Sequence, residues 1–397
     1  MSNSYLNKIL LEESQKFIEA NKSLSAERII LKYHGKTDLP IKEISEQIEA
    51  QKKAVKKLPE LSAYNLVYKK IPLEQCSSEY SAQYKSRVIS GKRIIDLTGG
   101  LGIDSIYFAR NFKEVTYCEM NEELAEIAEH NFSRIGIKNI KVLKGDSIEL
   151  LKNYEDNYFD WVFADPARRN NEKRSVDIKY YSPNISENLD LIFSKAENIL
   201  LKLAPAFDIN EALKLFKNMY EFSVLSYQNE CKEVLVFLSK KNNEKVKSAV
   251  ILDEEKYISG KINSDYKCEE SEIKINEYLY EPNAAIRKAG LTDKIAFELN
   301  LKKLNRKSEL LFSANLITDF IGRKFVVKHV ELFNEKKIRK FLTSKKITKA
   351  NISRSNFPMK PEEIKERLKL KDGGDIYLFF TKDINEKSIF ILTEKIP

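Results

Sequence analysis

Four carboxylates set the chemistry that this sequence can attempt. Asp96 closes the apolar run RIID, Glu119 follows EVTYC, Asp146 follows KVLKG and Asp165 follows WVFA. Between the first two lies a glycine-rich stretch, residues 97–102, in which Gly100 and Gly102 let the backbone approach a ligand closely. Glu119 stands 17 residues beyond Gly102, where a carboxylate can accept from both hydroxyls of a ribose. Asp146 is placed to accept from an adenine amino group. Asp165, followed by Pro166, can accept from an attacking amine and orient its lone pair, which is the need of a reaction governed by alignment. Each acid alone could be a helix N-cap, Asp146 before SIELL above all. Glu119 and Asp146 together, in order and at strand ends, are hard to explain as caps.

The elements that must position these acids alternate. Strands are predicted at 93–97, 114–118, 140–143, 161–164 and 199–204. Helical patterns fall at 104–111, 122–135, 185–196 and 209–220. Continuous apolar strands between amphipathic helices imply a parallel sheet covered on both faces. Two further runs, 222–227 and 233–238, read as an antiparallel pair.

The flanks differ. Residues 1–75 read as helices, with Leu6, Ile9, Leu10, Phe17 and Ile18 at helical spacing. A second helix begins near Ser23 or Ser25 and stops at Gly35. A third follows Pro40, carries Ile41, Ile44 and Ile48 on one face, and ends before Pro59. Its last turns carry Lys52, Lys53, Lys56 and Lys57, either a solvated helix end or a phosphate contact. Over 246–322, ILDEEKYI and EIKINEYLY read as strands, and NAAIRKAG and DKIAFELNL as helices. Over 323–397 the order is helix (336–342), strand (347–354), helix (361–368), then a turn at KDGGD, where Gly373 and Gly374 suit positive dihedrals, leading into a two-strand hairpin, IYLFFTK and KSIFILT.

The segment 93–238, with IIDLTGGLGID and DPARR, resembles the class I S-adenosylmethionine-dependent methyltransferases, the antiparallel terminal strand pair included. Thr98 stands where many members have their first glycine. With YLYEPNAAIRKAG and SNFPMKPEEIKERLKLKDGGDIYLFF, nearly the whole chain resembles one bacterial family: class I methyltransferases with a ferredoxin-like domain and a C-terminal THUMP-like domain. The resemblance implies an α/β Rossmann-like methyltransferase sheet with a helical N-terminal region and α+β C-terminal domains. The expected divisions are 1–75 (helical), 76–245 (methyltransferase), 246–322 (ferredoxin-like) and 323–397 (THUMP-like, RNA-binding). It also implies S-adenosylmethionine held by Asp96, Thr98, Gly99, Gly100, Gly102, Asp104, Glu119, Asp146 and Asp165. Asp165, Pro166 and Arg168 would stand at the reacting group, and the substrate would be RNA, a base nitrogen of tRNA or rRNA. One departure matters. Amino-group methyltransferases of nucleic acids usually follow Asp-Pro or Asn-Pro with a second proline and an aromatic that stacks on the target base, whereas here Ala167 and Arg168 stand there. Arg168 could stack its guanidinium plane on a base or grip a phosphate, with Arg169 beside it, and Tyr180 or Tyr181 could supply a ring.

Composition bounds the rest. The 397 residues carry a formal charge of +9, unevenly spread: 19 Lys and Arg against 7 Asp and Glu over 301–370, and 10 against 3 over 51–93. Such segregation points to a polyanionic partner. Lys336, Lys337, Arg339 and Lys340 interleave with Phe333, Ile338 and Phe341 at helical spacing, so the apolar side should face a core and the cations an RNA backbone. Two other readings keep the fold: a small-molecule methyltransferase whose basic regions serve solubility, or an RNA-binding protein without turnover. Cys76, Cys118, Cys231 and Cys268 form no CxxC or Cys/His cluster, so no metal site or disulfide framework is implied, and a reducing cytoplasm is expected. No cysteine is placed for carbon-5 pyrimidine methylation. No signal peptide or membrane-spanning run is read in the chain. The oligomeric state is not written in the sequence.

Overall fold

A computed structural model describes residues 4–168, 181–241 and 244–397. The chain divides into two compact units, Met1–Tyr220 with Val234–Asn243, and Glu221–Glu233 with Glu244–Pro397.

The first unit opens with six helices: α1 (Tyr5–Leu10), α2 (Glu12–Asn21), α3 (Ala26–Tyr33), α4 (Ile41–Lys57), α5 (Lys70–Gln75) and α6 (Glu79–Val88). The apolar run from Leu6 to Ile18 is one periodic pattern but two helices, because Leu11 adopts an extended ψ of 136°. Ser25 caps α3 by accepting from the Arg28 N–H, and α4 ends at Leu58, ahead of Pro59. The helices do not form a core of their own. Ile9, Ile44 and Ile48 share one cluster with Tyr117, Ile127 and Phe132 of the sheet layer. Each such fully buried isoleucine stabilises the fold by roughly 1.5–3 kcal/mol. Two buried amides bracket the connecting strand-like segment 66–68. Gln47 donates to the Leu66 carbonyl (2.8 Å) and accepts from the Tyr68 N–H (2.9 Å), while Asn131 exchanges both bonds with the Val67 backbone (3.0 and 2.9 Å).

There follow β1 (Gly91–Asp96), α7 (Ile103–Phe108), β2 (Phe112–Glu119), α8 (Glu122–Ile135), β3 (Ile140–Lys144), α9 (Ser147–Lys152), β4 (Phe159–Ala164), β5 (Ala167–Arg168), β6 (Tyr181–Ser182), α10 (Leu189–Lys195), β7 (Ala196–Leu203), α11 (Ile209–Leu215), β8 (Met219–Tyr227) and β9 (Glu230–Ser239). Within this unit the strand order is β9-β7-β4-β1-β2-β3, parallel from β7 to β3 with β9 antiparallel to β7. Since β1 pairs with β2 on one side and β4 on the other, the order reverses there, and the crevice at the carboxyl ends of β1 and β4 is the natural place for a ligand. β8 and β9 are joined at Gln228 and Asn229, both at positive φ (53° and 58°), which suits a tight hairpin.

In the second unit β8 pairs with β10 (Val246–Ile251), which pairs with β11 (Lys256–Lys261). ILDEEKYI is therefore the turn of a hairpin, not one strand. Next come β12 (Tyr278–Pro282), α12 (Ala284–Lys288), α13 (Thr292–Glu298), β13 (Lys302–Lys303), β14 (Leu311–Ser313), β15 (Gly322–Leu332), α14 (Glu335–Ser344), β16 (Asn351–Arg354), α15 (Pro361–Leu368), β17 (Ile376–Lys382) and β18 (Ser388–Ile396). EIKINEYLY yields a strand only from Tyr278, since Asn276 sits at φ 71°. A seven-stranded sheet runs β13-β14-β12-β15-β18-β17-β16. Gly373 and Gly374, at φ 105° and 82°, turn the chain into β17 as the sequence demanded. No helix among the described residues is long and apolar enough to cross a membrane.

Candidate active site

The glycine loop after β1 is moulded on Tyr117. A Cβ on Gly99 would fall 2.2 Å from the Tyr117 ring, and one on Gly102 would fall 2.5 Å from Phe132. The Tyr117 hydroxyl donates to the Gly100 carbonyl at 2.6 Å, and burial raises its pKa well above the usual phenol range. Gly100 differs from its neighbours. Its positive φ of 55° favours glycine, and a Cβ there would meet only the Thr98 carbonyl oxygen, at 3.8 Å. Glu119, at the end of β2, accepts from the Gly100 N–H (2.8 Å) and the Asn121 N–H (2.8 Å), so the second carboxylate is fixed directly on the loop.

Asp146 caps α9, accepting from the Ile148 and Glu149 N–H groups at 2.9 and 3.2 Å. Both bonds fall on Oδ1, and Oδ2 has no partner among the described residues. Capping and ligand contact are thus compatible in one side chain. Asp96 is fully buried. It accepts from the Thr98 N–H (2.9 Å) and the Ser105 hydroxyl (2.8 Å), and burial, aided by the charges of Asp104 and Asp165, pushes it up to about 7. Asp104 does not turn to the loop. Its carboxylate receives the Ser77 hydroxyl (2.8 Å) and the Lys85 ammonium (2.9 Å), a buried pair that ties α6 to α7. Reading it as a cofactor contact from its place in the motif is corrected by this geometry: an acid on the first turn of α7 points back into the helical layer.

Asp165 follows β4 across the crevice. Its N–H donates to the Thr98 hydroxyl at 2.6 Å, and its Oδ2 is ion-paired with Lys202. Oδ1 has no partner among the described residues. Pro166 is buried behind it. Beyond, β5 pairs with β6 so that Arg168 stands opposite Tyr181. Tyr181 is only 3% exposed, so it offers no open ring to a base, and its expected role as a stacking residue is corrected. Arg169 and Tyr180 lie outside the described residues.

Sequence reasoning missed Lys202. Its signal was a lone cation within the apolar strand run ILLKLA, which a parallel sheet does not tolerate without a partner. Lys85, buried under α7, was missed likewise.

In the second unit, α14 is capped by Asn334, and its Ile338 and Leu342 are buried. Phe341 stacks on His329 at 4.1 Å, and Phe333 meets Phe357 edge-on at 5.2 Å, so the aromatics face inward as expected. Lys336, Lys337 and Lys340 are exposed and Arg339 half-buried, with no ion pair for any of the four among the described residues.

Comparison with known proteins decides what this crevice belongs to. The family described as RNA cap guanine-N2 methyltransferase matches residues 91–280, a ferredoxin-like domain family matches 278–320, and a THUMP domain-like family matches 322–395. A solved structure from Porphyromonas gingivalis W83, described as that of a methyltransferase, is 28% identical and superposes over 100% of both chains with a TM-score of 0.84. The chain is an S-adenosylmethionine-dependent methyltransferase that carries ferredoxin-like and THUMP-like domains. Among curated relatives, an uncharacterized S-adenosylmethionine-dependent methyltransferase of Mycobacterium tuberculosis (strain H37Rv) is 21% identical over 313 residues, 78% of this chain and 83% of its own. An uncharacterized RNA methyltransferase of Mycoplasma mobile is 36% identical over 87 residues, 22% of this methyltransferase and 24% of its own length. The methyl donor of the enzyme is S-adenosylmethionine.

Proposed function

We propose that this methyltransferase modifies a base nitrogen in structured RNA, tRNA or rRNA. The observation that carries the reading is Asp165: a carboxylate at the end of β4, fixed by Lys202 and Thr98, with one oxygen left to accept from a target amine. S-adenosylmethionine, when bound, supplies a methyl group on a sulfonium centre. The residues fit it. The uncrowded backbone at Gly100 suits its amino-acid end, Glu119 suits the ribose hydroxyls, and Oδ2 of Asp146 suits the adenine amino group. Asp96 and Thr98 support the loop from below.

Asp165 and the Pro166 carbonyl would accept hydrogen bonds from the nucleophile and aim its lone pair, contributing alignment rather than strong base catalysis. Arg168 and Arg169 would hold the target nucleotide. The exposed cations Lys336, Lys337 and Lys340, with Arg339, would bind RNA phosphates. A cytoplasmic location agrees with four free cysteines.

The test is incubation with labelled donor and total RNA from cells lacking the protein. Label in RNA is expected with the wild type and not with Asp165→Ala. Equal label in both would remove Asp165 from the reaction, and label confined to small molecules would overturn the RNA assignment.

A further inference from the structure

The β1–β4 ladder stops where the crevice must open. Its registered pairs run from Ile94 and Trp161 to Asp96 and Phe163, and the last main-chain bond passes from the Leu97 N–H to the Phe163 carbonyl at 3.0 Å. Past that point one backbone turns into the glycine loop and the other into the Asp165–Pro166 turn. The next rung is supplied by a side chain. Thr98 Oγ1 accepts from the Asp165 N–H at 2.6 Å and lies 3.3 Å from Asp96 Oδ1, to which it donates. A hydroxyl has one proton and two lone pairs, so both bonds coexist. Asp96 in turn is anchored by the Thr98 N–H and by Ser105 of α7, fully buried within the sheet.

We propose that Thr98 is a positioning residue for methyl transfer: it sets the Asp165 turn in register with the donor loop and does not hold the donor itself. This deepens the proposed function and rests on Asp165 as the group that meets the target. A glycine at position 98 would keep the loop but leave the Asp165 N–H without its acceptor. Lys202 fixes the Asp165 carboxylate, whereas Thr98 fixes its backbone. Displacement of a reacting group by about 1 Å can cost ~100-fold in rate, so one hydroxyl at this place has leverage over the reaction.

The decisive variants are Thr98→Val, which keeps the shape and loses the hydroxyl, and Thr98→Ser, which keeps the hydroxyl. Donor affinity is measured by calorimetry, and transfer at saturating donor by label entering total RNA from cells lacking the protein. For Thr98→Val the rate should fall about 10-fold or more while the donor dissociation constant changes less than about threefold. Thr98→Ser should restore most of the rate. Hydrogen exchange at the Asp165 amide should quicken in Thr98→Val and stay slow in Thr98→Ser, a readout that needs no RNA. Unchanged exchange in Thr98→Val would overturn the proposal, as would a loss of rate matched by an equal loss of donor affinity. Wild-type protein that labels no RNA would sink the RNA reading alone, and the exchange measurement would still decide the role of Thr98.

Discussion

In α4, Lys52 donates to the Leu24 carbonyl, Lys53 reaches Glu74, and Lys57 closes the carbonyls of Leu73 and Glu74 at the end of α5. In α14, Lys336, Lys337 and Lys340 point to solvent and meet no acid among the described residues. As sequence the two lysine runs look alike, and both lie in basic stretches. The first holds the N-terminal helices together, while the second keeps its charge for something else. Charge density in a sequence therefore gives the number of cations, and the acceptors within reach decide how many remain for a partner.

The comparison can be broken in four ways. The largest effect separates chemistry from affinity: Asp165→Ala should lower methyl transfer by at least ~100-fold, yet leave RNA binding by filter retention unchanged. Loss of both together would place Asp165 in RNA binding. Next, replacing Lys336, Lys337, Arg339 and Lys340 by alanine should weaken RNA binding about 10-fold or more and flatten its dependence on salt by roughly 0.7 for each phosphate no longer neutralised. Donor affinity should not change. The same treatment of Lys52, Lys53 and Lys57 should do the reverse: RNA affinity held, and Tm lowered by roughly 2–4 °C. If the α4 variant loses RNA affinity instead, the contrast between the helices fails.

The last effect concerns Asp96. Its folded pKa, about 7, lies above the ordinary 3.8. A raised pKa means that the folded state holds the proton more tightly, so the stability it confers is complete below the ordinary value and is lost as pH rises through about 7. Stability should therefore decline between about pH 4 and 7 more in the wild type than in Asp96→Asn, by at most ~1.4 kcal/mol per pH unit, read as a falling Tm that levels off above pH 7. Parallel curves would show that Asp96 does not titrate there.

What the sequence disclosed was local. The strand-loop-helix of β1, the acids at Glu119 and Asp146, and the inward aromatics of α14 all follow from period and spacing within a few residues. What it concealed depends on strand order. Lys202 meets Asp165 only because β7 lies beside β4, 37 residues away in sequence. Asp104 looked like part of the ligand motif, but Lys85 and Ser77 of the preceding helical layer claim it. Tyr181 carried the right ring for stacking, but the pairing of β5 with β6 accompanies its burial. The N-terminal helices read as a region apart, although Ile44 and Ile48 help to make the core under α8.

Tyr117 constrains the composition of the glycine loop as well as its shape. Its ring occupies the volume that a side chain at position 99 would need, and its hydroxyl holds the next carbonyl. Gly99 and Tyr117 are thus coupled in one direction: while the ring stands, position 99 admits no side chain. Gly99→Ala alone should damage the loop, while a second substitution of Tyr117 by a smaller residue should recover part of the loss, an interaction energy that a double-mutant cycle reads directly. Where the tyrosine persists, the glycine is under obligation to it before any ligand arrives.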